Sequence, residues 1–94
     1  MKESKAFSVG DKIEILPRED IVKDLSAQVV NSNVYFSQHE FCFNEEMKAY
    51  CGKKAIIKNI MTEYDYGYGH YVPVYILNID DGEWSWLGEW LKKI

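Results

Sequence analysis

Alternating hydrophobic and polar residues predict short β-strands along much of the chain. Lys12-Ile13-Glu14-Ile15-Leu16 alternates with a period of two, and Pro17 ends this strand because proline cannot donate to a strand ladder. Apolar, β-branched and aromatic residues predict four further strands, over residues 54–61, 71–79, 84–87 and 91–94. The chain is therefore expected to be mainly β.

Two short helical segments are predicted in the long first connection, over about residues 17–52. In residues 18–25, three apolar side chains recur at helical spacing. Further on, Asn44 is expected to cap a second short helix, because two glutamates follow it near the positive end of the helix dipole. Gly52 stands where a helix often ends.

Three other segments are predicted as loops or turns. Residues 26–40 are polar and mixed, with Asn31-Ser32-Asn33 as a loop signal, and Val34-Tyr35-Phe36 either forms a short strand or packs onto the core. Residues 63–70 are predicted as a tyrosine-rich loop whose two glycines permit positive φ angles. Asp80-Asp81-Gly82-Glu83 predicts a tight hairpin, since Asp-Gly suits the primed turns.

The order of these elements favours one small barrel. An SH3-like barrel, in which five antiparallel strands curl on themselves, has the same order of elements. That order is strand, long connection, strand, loop, strand, hairpin, strand, one-turn helix and short strand. An oligonucleotide-binding barrel usually has a helix where this chain has its Asp-Gly turn. We therefore expect a single domain over residues 1–94, a five-stranded antiparallel SH3-like barrel with one or two short helices in its first connection.

Specific residues also carry a resemblance to a known group of proteins. The pattern is Phe7-x-Val9-Gly10-Asp11-Lys12, then Met47-x-x-x-Cys51-Gly52-Lys53, then Tyr75, Asp81-Gly82-x-Trp84-x-Trp86 and Leu91. It resembles small SH3-like proteins encoded by phages and prophages of Gram-positive bacteria. Nearly every matched residue suits a turn, a helix end or a core, so the resemblance implies a fold and a genetic context rather than a reaction. Residues 26–40 and 64–71 depart from the pattern.

Length and composition agree with one globular domain. The 94 residues are 47% hydrophobic and 28% charged, which is ordinary globular usage. No apolar run reaches the ~20 residues that a membrane span needs, and the N-terminal residues lack the apolar region of a secretory signal. Cys42 and Cys51 are therefore expected to be reduced thiols in a cytoplasm. The resemblance to phage and prophage proteins implies that this is the cytoplasm of a bacterial host.

Charge is unevenly distributed along the chain. The net charge is −4, and residues 59–91 contain no Lys or Arg but six acids, all three Trp and five of the seven Tyr. A nucleic-acid-binding protein usually has the opposite sign, because neutralising phosphates supplies most of its affinity. Four lysines within residues 48–58 are interpreted as a solvated face, so direct nucleic-acid binding is not expected.

The sequence offers little for catalysis or metal binding. It contains no nucleophile elbow, phosphate-binding loop, zinc-protease motif or dinucleotide fingerprint. The order His39, Cys42, Cys51, His70 lacks the paired short spacings of structural zinc sites, and the sequence leaves a Cys–His nucleophile pair open. We expect a non-enzymatic protein with no metal and no cofactor.

The leading prediction is a protein-binding module that engages a host or phage protein. Its surface is predicted to combine the tyrosine-rich loop with the acidic hairpin, because tyrosine gives large contact area at low entropic cost. The predicted binding residues are Glu63, Tyr64, Asp65, Tyr66, Tyr68, Asp81 and Glu83. The alternative is an acidic inhibitor of a host nucleic-acid enzyme, of the anti-CRISPR or another anti-defence type, whose carboxylates occupy the enzyme's basic nucleic-acid-binding surface. Homo-oligomer formation stays open.

Overall fold

The computed structural model describes residues 7–24, 26–37 and 41–94, and within them the protein is mainly β. Two antiparallel sheets account for the strands: a five-stranded sheet of order β6-β5-β4-β1-β7 and a hairpin of β2 and β3. In chain order the elements are β1 (Lys12–Ile15), α1 (Arg18–Ile21), β2 (Ala27–Val30), β3 (Asn33–Phe36), the 3₁₀ helix η1 (Met47–Tyr50), β4 (Lys54–Asp65), β5 (His70–Leu77), η2 (Asn78–Asp80), β6 (Trp86–Leu87), η3 (Gly88–Trp90) and β7 (Leu91–Lys93).

The large sheet is built around β1 and β4. In β1, Ile13 pairs with Ala55 of β4 and Ile15 pairs with Leu91 of β7. On the other side β4 pairs with β5, and β5 pairs with the short β6 through Tyr75 and Trp86. In the described part of the chain no pairing joins β6 to β7, so the five-stranded sheet is open. The predicted mainly β class is confirmed.

The first connection contains a β-hairpin that the sequence did not fully predict. Asn31 and Ser32 lie at its tip with φ angles of 51° and 68°, the left-handed pair that a primed two-residue turn requires. The loop signal at these residues is therefore confirmed, and 34–36 does lie in a strand. The prediction missed β2, whose four residues are half-buried or exposed and so lack strict alternation.

Both predicted helical segments are present in shortened form. The helix predicted over 18–25 is a single turn, α1, and Leu25 lies outside the described residues. Glu46 directly precedes η1, but the Oδ1 of Asn44 does accept the backbone N–H of Met47, the first residue of η1, at 2.9 Å, which is the hydrogen bond expected of a capping asparagine. Gly52 follows with φ of 80°, a conformation that favours glycine.

The predicted tyrosine-rich loop over 63–70 is a tight hairpin instead. Strand β4 continues to Asp65 and β5 begins at His70, so only residues 66–69 form the turn. Tyr64 and Tyr71 pair directly across the two strands. These two side chains are therefore fixed by a strand ladder rather than by an irregular loop.

The Asp-Gly turn is present, but the strands around it are shorter than predicted. Asp81 and Gly82 have φ angles of 53° and 76°, and the N–H of Glu83 donates to the carbonyl of Asp80 at 3.0 Å. Strand β5 ends at Leu77 and β6 begins at Trp86, so the turn sits inside a longer connection.

A buried carboxylate organises this connection. Asp80 is 6% exposed, and its Oδ1 accepts the N–H of Gly82 at 3.1 Å. Its Oδ2 accepts the N–H of Trp84 at 3.1 Å and the indole N–H of Trp86 at 3.0 Å. The carboxylate therefore satisfies donors of both the turn and the core.

The core is centred on three aromatic side chains. Phe43 packs edge-to-face on Trp90 at a centroid distance of 5.2 Å and on Trp86 at 6.0 Å, and the two indoles are 6.4 Å apart. Aliphatic residues of β1, β4, β5 and β7 surround them. The main ones are Ile13, Ile15, Ile57, Val74, Leu77 and Leu91.

We expect Asp80→Ala to reduce the free energy of unfolding by about 2–4 kcal/mol, because it leaves the buried Trp86 N–H and two backbone donors without their acceptor. Urea denaturation followed by tryptophan fluorescence measures the change. Asp81→Asn is the matched control, since that side chain is exposed and asparagine tolerates the left-handed backbone. Equal midpoints for the two variants would contradict a structural role for Asp80.

Candidate functional site

Three tyrosines form an exposed cluster on the β4–β5 hairpin. Tyr64 lies between the other two, with ring centroids 4.8 Å from Tyr66 and 5.2 Å from Tyr71, both in edge-to-face geometry. Their exposed fractions are 41%, 75% and 69% for Tyr64, Tyr66 and Tyr71. Tyr64, Tyr66 and Tyr71, called the tyrosine cluster below, support one another while remaining open to solvent.

Tyr68, in the same turn, has a different environment. It is half-buried, stacks on His70 at 5.6 Å, and donates its hydroxyl hydrogen to Oε1 of Glu89 at 3.0 Å. Burial, followed by the hydrogen bond to Glu89 and by nearby negative charge, raises the pKa of the Tyr68 phenol well above its usual value. Tyr68 therefore ties the hairpin turn to η3, and it does not belong to the tyrosine cluster.

The structure corrects the role predicted for Asp65. This side chain is completely buried, so it cannot contribute charge to a binding surface. Its Oδ1 accepts the N–H of Gly67 at 2.7 Å, and its carbonyl accepts the N–H of Gly69 at 2.7 Å. Asp65 thus shapes the turn. Its position in the sequence does not show whether its carboxylate is buried in this way or exposed.

The other predicted acids are exposed but are not all near the tyrosines. Asp81 and Glu83 lie in the turn after η2, where a Cβ on Gly82 would be 3.5 Å from Cγ2 of Ile76. Ile76 is five residues along β5 from Tyr71, which corresponds to about 17 Å of strand. The two halves of the predicted surface are therefore separated, and only Glu63 shares the hairpin end with the tyrosine cluster.

A second concave feature includes Glu89, the hydrogen-bond partner of Tyr68. This groove, of about 190 Å³, is formed by α1 with the residues that follow it, the end of β3, and η3. Carboxylates of Asp20, Asp24 and Glu89 line it, together with the apolar side chains Ile21, Phe36 and Trp90. Sequence reasoning missed the groove, because residues this far apart in the chain meet only through the fold.

Neither of the two thiols lies in an environment that would activate it as a nucleophile. Burial raises the pKa of the Cys42 and Cys51 thiols, the opposite of what a thiolate nucleophile needs. Exposed His70 has Nδ1 3.0 Å from the carbonyl oxygen of Tyr71, and His39 lies outside the described residues. In the described ranges, no group of three or more His, Cys, Asp or Glu is placed to hold a metal ion.

Comparison with known proteins gives no further guide to function. No protein-family model, curated protein or solved structure matches the chain. Among the described residues, no helix is long and apolar enough to cross a membrane. The resemblance to phage-encoded SH3-like proteins stays a prediction.

Tyr68→Phe should lower the free energy of unfolding by about 1 kcal/mol, because the substitution removes the hydrogen bond to Glu89 and leaves the ring packing intact. Chemical denaturation at neutral pH measures the effect. Tyr66→Phe is the matched control, since it removes the same hydroxyl from an exposed ring. A Tyr68→Phe variant as stable as the control would show that the hydrogen bond to Glu89 makes no net contribution to the free energy of unfolding.

The raised pKa of Tyr68 also predicts a pH dependence. The folded state holds the phenol proton more tightly than the unfolded state, so the contribution of Tyr68 to stability is complete below pH ~10, the ordinary tyrosine pKa, and is lost as pH rises further towards the folded-state value. Phenolate absorbance during alkaline titration should show a late phase. Persistence of that phase in Tyr68→Phe would assign it to another tyrosine.

Proposed function

We propose that the protein is a non-enzymatic protein-binding module and that the tyrosine cluster is its contact surface. The observation that carries this proposal is the exposure of three touching tyrosines at one hairpin end. Tyrosine is enriched among the residues that dominate interface energetics, because it buries much area while losing few rotatable bonds. These exposed aromatic rings add nothing to the core, and exposed patches of this kind usually mark an interaction site.

The rigidity of the hairpin supports the same proposal. Asp65 fixes the turn from inside, and Tyr68 attaches it to Glu89. The tyrosine cluster is therefore held on a ladder and a braced turn before any partner arrives. Such preorganisation reduces the entropy lost on binding.

The exposed acids take a secondary role in this proposal. Glu63 lies at the same hairpin end as the tyrosine cluster, and because it precedes Tyr64 in β4 its side chain leaves the opposite face of that strand, so we assign it to the negative field around the hairpin end. Asp81 and Glu83 are too distant to share one small contact patch, so we assign them to long-range attraction of a basic partner. Charges in that position change the association rate more than the final affinity.

We also propose an SH3-like arrangement of the main sheet. Its support is the strand order, in which β7 lies beside β1 and the 3₁₀ helix η3 directly precedes β7. The β2–β3 hairpin is then an addition within the first connection. A phage or prophage origin and a bacterial cytoplasmic location rest on the sequence resemblance alone.

The alternative, an acidic inhibitor of a nucleic-acid enzyme, draws support from the net charge of −4. Burial weakens this alternative, because the carboxylates of Asp65 and Asp80 are buried within turns and that of Glu89 accepts the hydrogen bond from Tyr68. Of the six acids in residues 59–91, Glu63, Asp81 and Glu83 are exposed. The aromatic surface is the better-supported proposal.

Quantitative capture from a Gram-positive lysate, at low and high salt, tests the two functions against each other. We expect a partner that is retained at high salt and bound at least tenfold more weakly by the double variant Tyr66→Ala, Tyr71→Ala, since losing two central aromatic contacts typically costs this much. The double variant Asp81→Asn, Glu83→Gln should retain it. Circular dichroism verifies that both variants are folded.

The opposite pattern would overturn the proposal. Proteins that are captured only at low salt, displaced by added DNA and lost with the acidic variant would indicate the inhibitor, because interactions between exposed charges are screened by salt. A partner retained at high salt by the tyrosine variant would remove the tyrosine cluster from the interface.

A further inference from the structure

Strand β4 has a long stretch of edge that no other described strand covers. β1 pairs with β4 only over residues 54–56, and Ile57 makes two further main-chain hydrogen bonds to the segment before β1. From Asn59 to Tyr64, the side of β4 that faces away from β5 has no strand beside it in the described part of the chain. This stretch is mostly exposed. Residues 59–64 are called the open edge below.

Two observations show which main-chain groups point out of the open edge. The N–H of Ile60 donates to Oδ1 of Asn59 at 2.9 Å, so it is not bonded to β5. Thr62 lies opposite Pro73, and proline has no N–H to donate, which fits a non-hydrogen-bonded pair of the ladder. Because the direction of these groups alternates along a strand, the N–H and carbonyl groups of Ile60, Thr62 and Tyr64 point outwards.

The two edges of the β4–β5 hairpin differ in their protection against further pairing. Pro73 lies opposite Thr62 in a non-hydrogen-bonded pair, so its nitrogen points away from β4 and blocks the outer edge of β5. The open edge of β4 contains neither proline nor lysine, the residues that most often prevent strand pairing. Its outward groups can therefore pair with another strand, the one at Ile60 by exchanging its bond to the exposed Asn59.

We propose that a second copy of the chain pairs with the open edge, antiparallel and about a two-fold axis at Thr62. In this register Thr62 lies opposite Thr62 of the second copy, and Ile60 lies opposite its Tyr64. This is the register that uses all three outward residues of both copies, and each such pair exchanges two main-chain hydrogen bonds. The two hairpins then form one four-stranded antiparallel sheet with two β4 strands at its centre.

The side chains of the open edge also match one another in this register. On one face each Ile60 meets Tyr64 of the other copy, an aromatic–β-branched pair, and the two threonines meet each other, both of which are favourable cross-strand pairs. On the opposite face Met61, which is 52% exposed, meets Glu63 of the other copy. No like charges lie directly opposite each other. A second copy therefore fits the edge residue by residue, and for this reason we choose it over an unrelated strand.

The short length of the contact sets the expected strength of the dimer. Pairing over residues 60–64 belongs with the weak associations, which bury less than ~1,200 Å² in total. The mass measured by sedimentation equilibrium should therefore rise from 11.0 kDa towards twice this value as the protein concentration increases from micromolar to millimolar.

Opposite charges placed at the axis test the register. Thr62→Lys and Thr62→Glu each bring like charges face to face, so each variant alone should dimerise about fivefold or more weakly, whereas their equimolar mixture should dimerise again. A rescue of this kind requires an isologous contact centred on residue 62. Gln28→Lys and Gln28→Glu are the matched controls, because Gln28 is exposed on the other hairpin. They change the net charge equally and should dimerise like the unmodified protein.

Amide hydrogen exchange tests the hydrogen bonds themselves. Exchange at Ile60, Thr62 and Tyr64 should slow as the concentration rises, because their N–H groups become bonded to the second copy. The amides of Met61 and Glu63 point towards β5 and should keep the same exchange rates, so they are internal controls. A dispersed amide spectrum shows that each variant is folded.

Three results would each overturn the inference. They are a mass that stays at 11.0 kDa up to millimolar concentration, a mixture of the two Thr62 variants that dimerises no better than either alone, and outward amides that are equally protected at every concentration. The last result would mean that the edge is covered within a single chain.

The dimer contact does not depend on the proposed function. The double variant Tyr66→Ala, Tyr71→Ala leaves every residue of the open edge in place and should dimerise like the unmodified protein. Loss of a captured partner in that variant, with dimerisation retained, would therefore concern the tyrosine cluster alone. Loss of dimerisation in that variant would instead show that the exposed rings, and not the strand edge, join the two copies, and this would overturn the inference.

Discussion

The edge-to-face packing of Phe43, Trp86 and Trp90 is the contact on which the remaining structure depends. Phe43 also exchanges backbone hydrogen bonds with Val34, so the aromatic cluster attaches the β2–β3 hairpin to the main sheet. Trp90 belongs to η3, whose position fixes Glu89 and one wall of the groove. Aromatic pairs of this kind have preferred geometries and add to the energy of burial, so they orient elements as well as holding them together.

Carboxylates serve two distinct purposes in this small domain. Asp65 and Asp80 point inward and accept N–H groups of the turns that follow them, while Glu63, Asp81 and Glu83 remain in water. An 11.0 kDa chain has a small core, and internal acceptors stabilise its turns without using apolar volume. The charge of the sequence therefore overstates the negative charge that a partner meets.

Local signals in the sequence predicted the features that depend on neighbouring residues. The alternation of Lys12–Ile15, the cap at Asn44 and the left-handed turn at Asp81 each follow from a few adjacent side chains. The failures have a tertiary origin. Strand β2 has no buried side to reveal its period, Asp65 gives no local sign of burial, and the groove joins residues 20–24 to Phe36 and η3 through contacts that no spacing encodes.

The β4–β5 turn places neighbouring tyrosines in two different environments. Tyr66 and Tyr68 are two residues apart, yet one ring joins the exposed tyrosine cluster and the other hydrogen-bonds to Glu89 at the groove. Both depend on the same few backbone bonds, which Asp65 holds from within. A partner that contacts the tyrosine cluster would thus bind a preformed surface, and it would lose little ordering entropy in doing so.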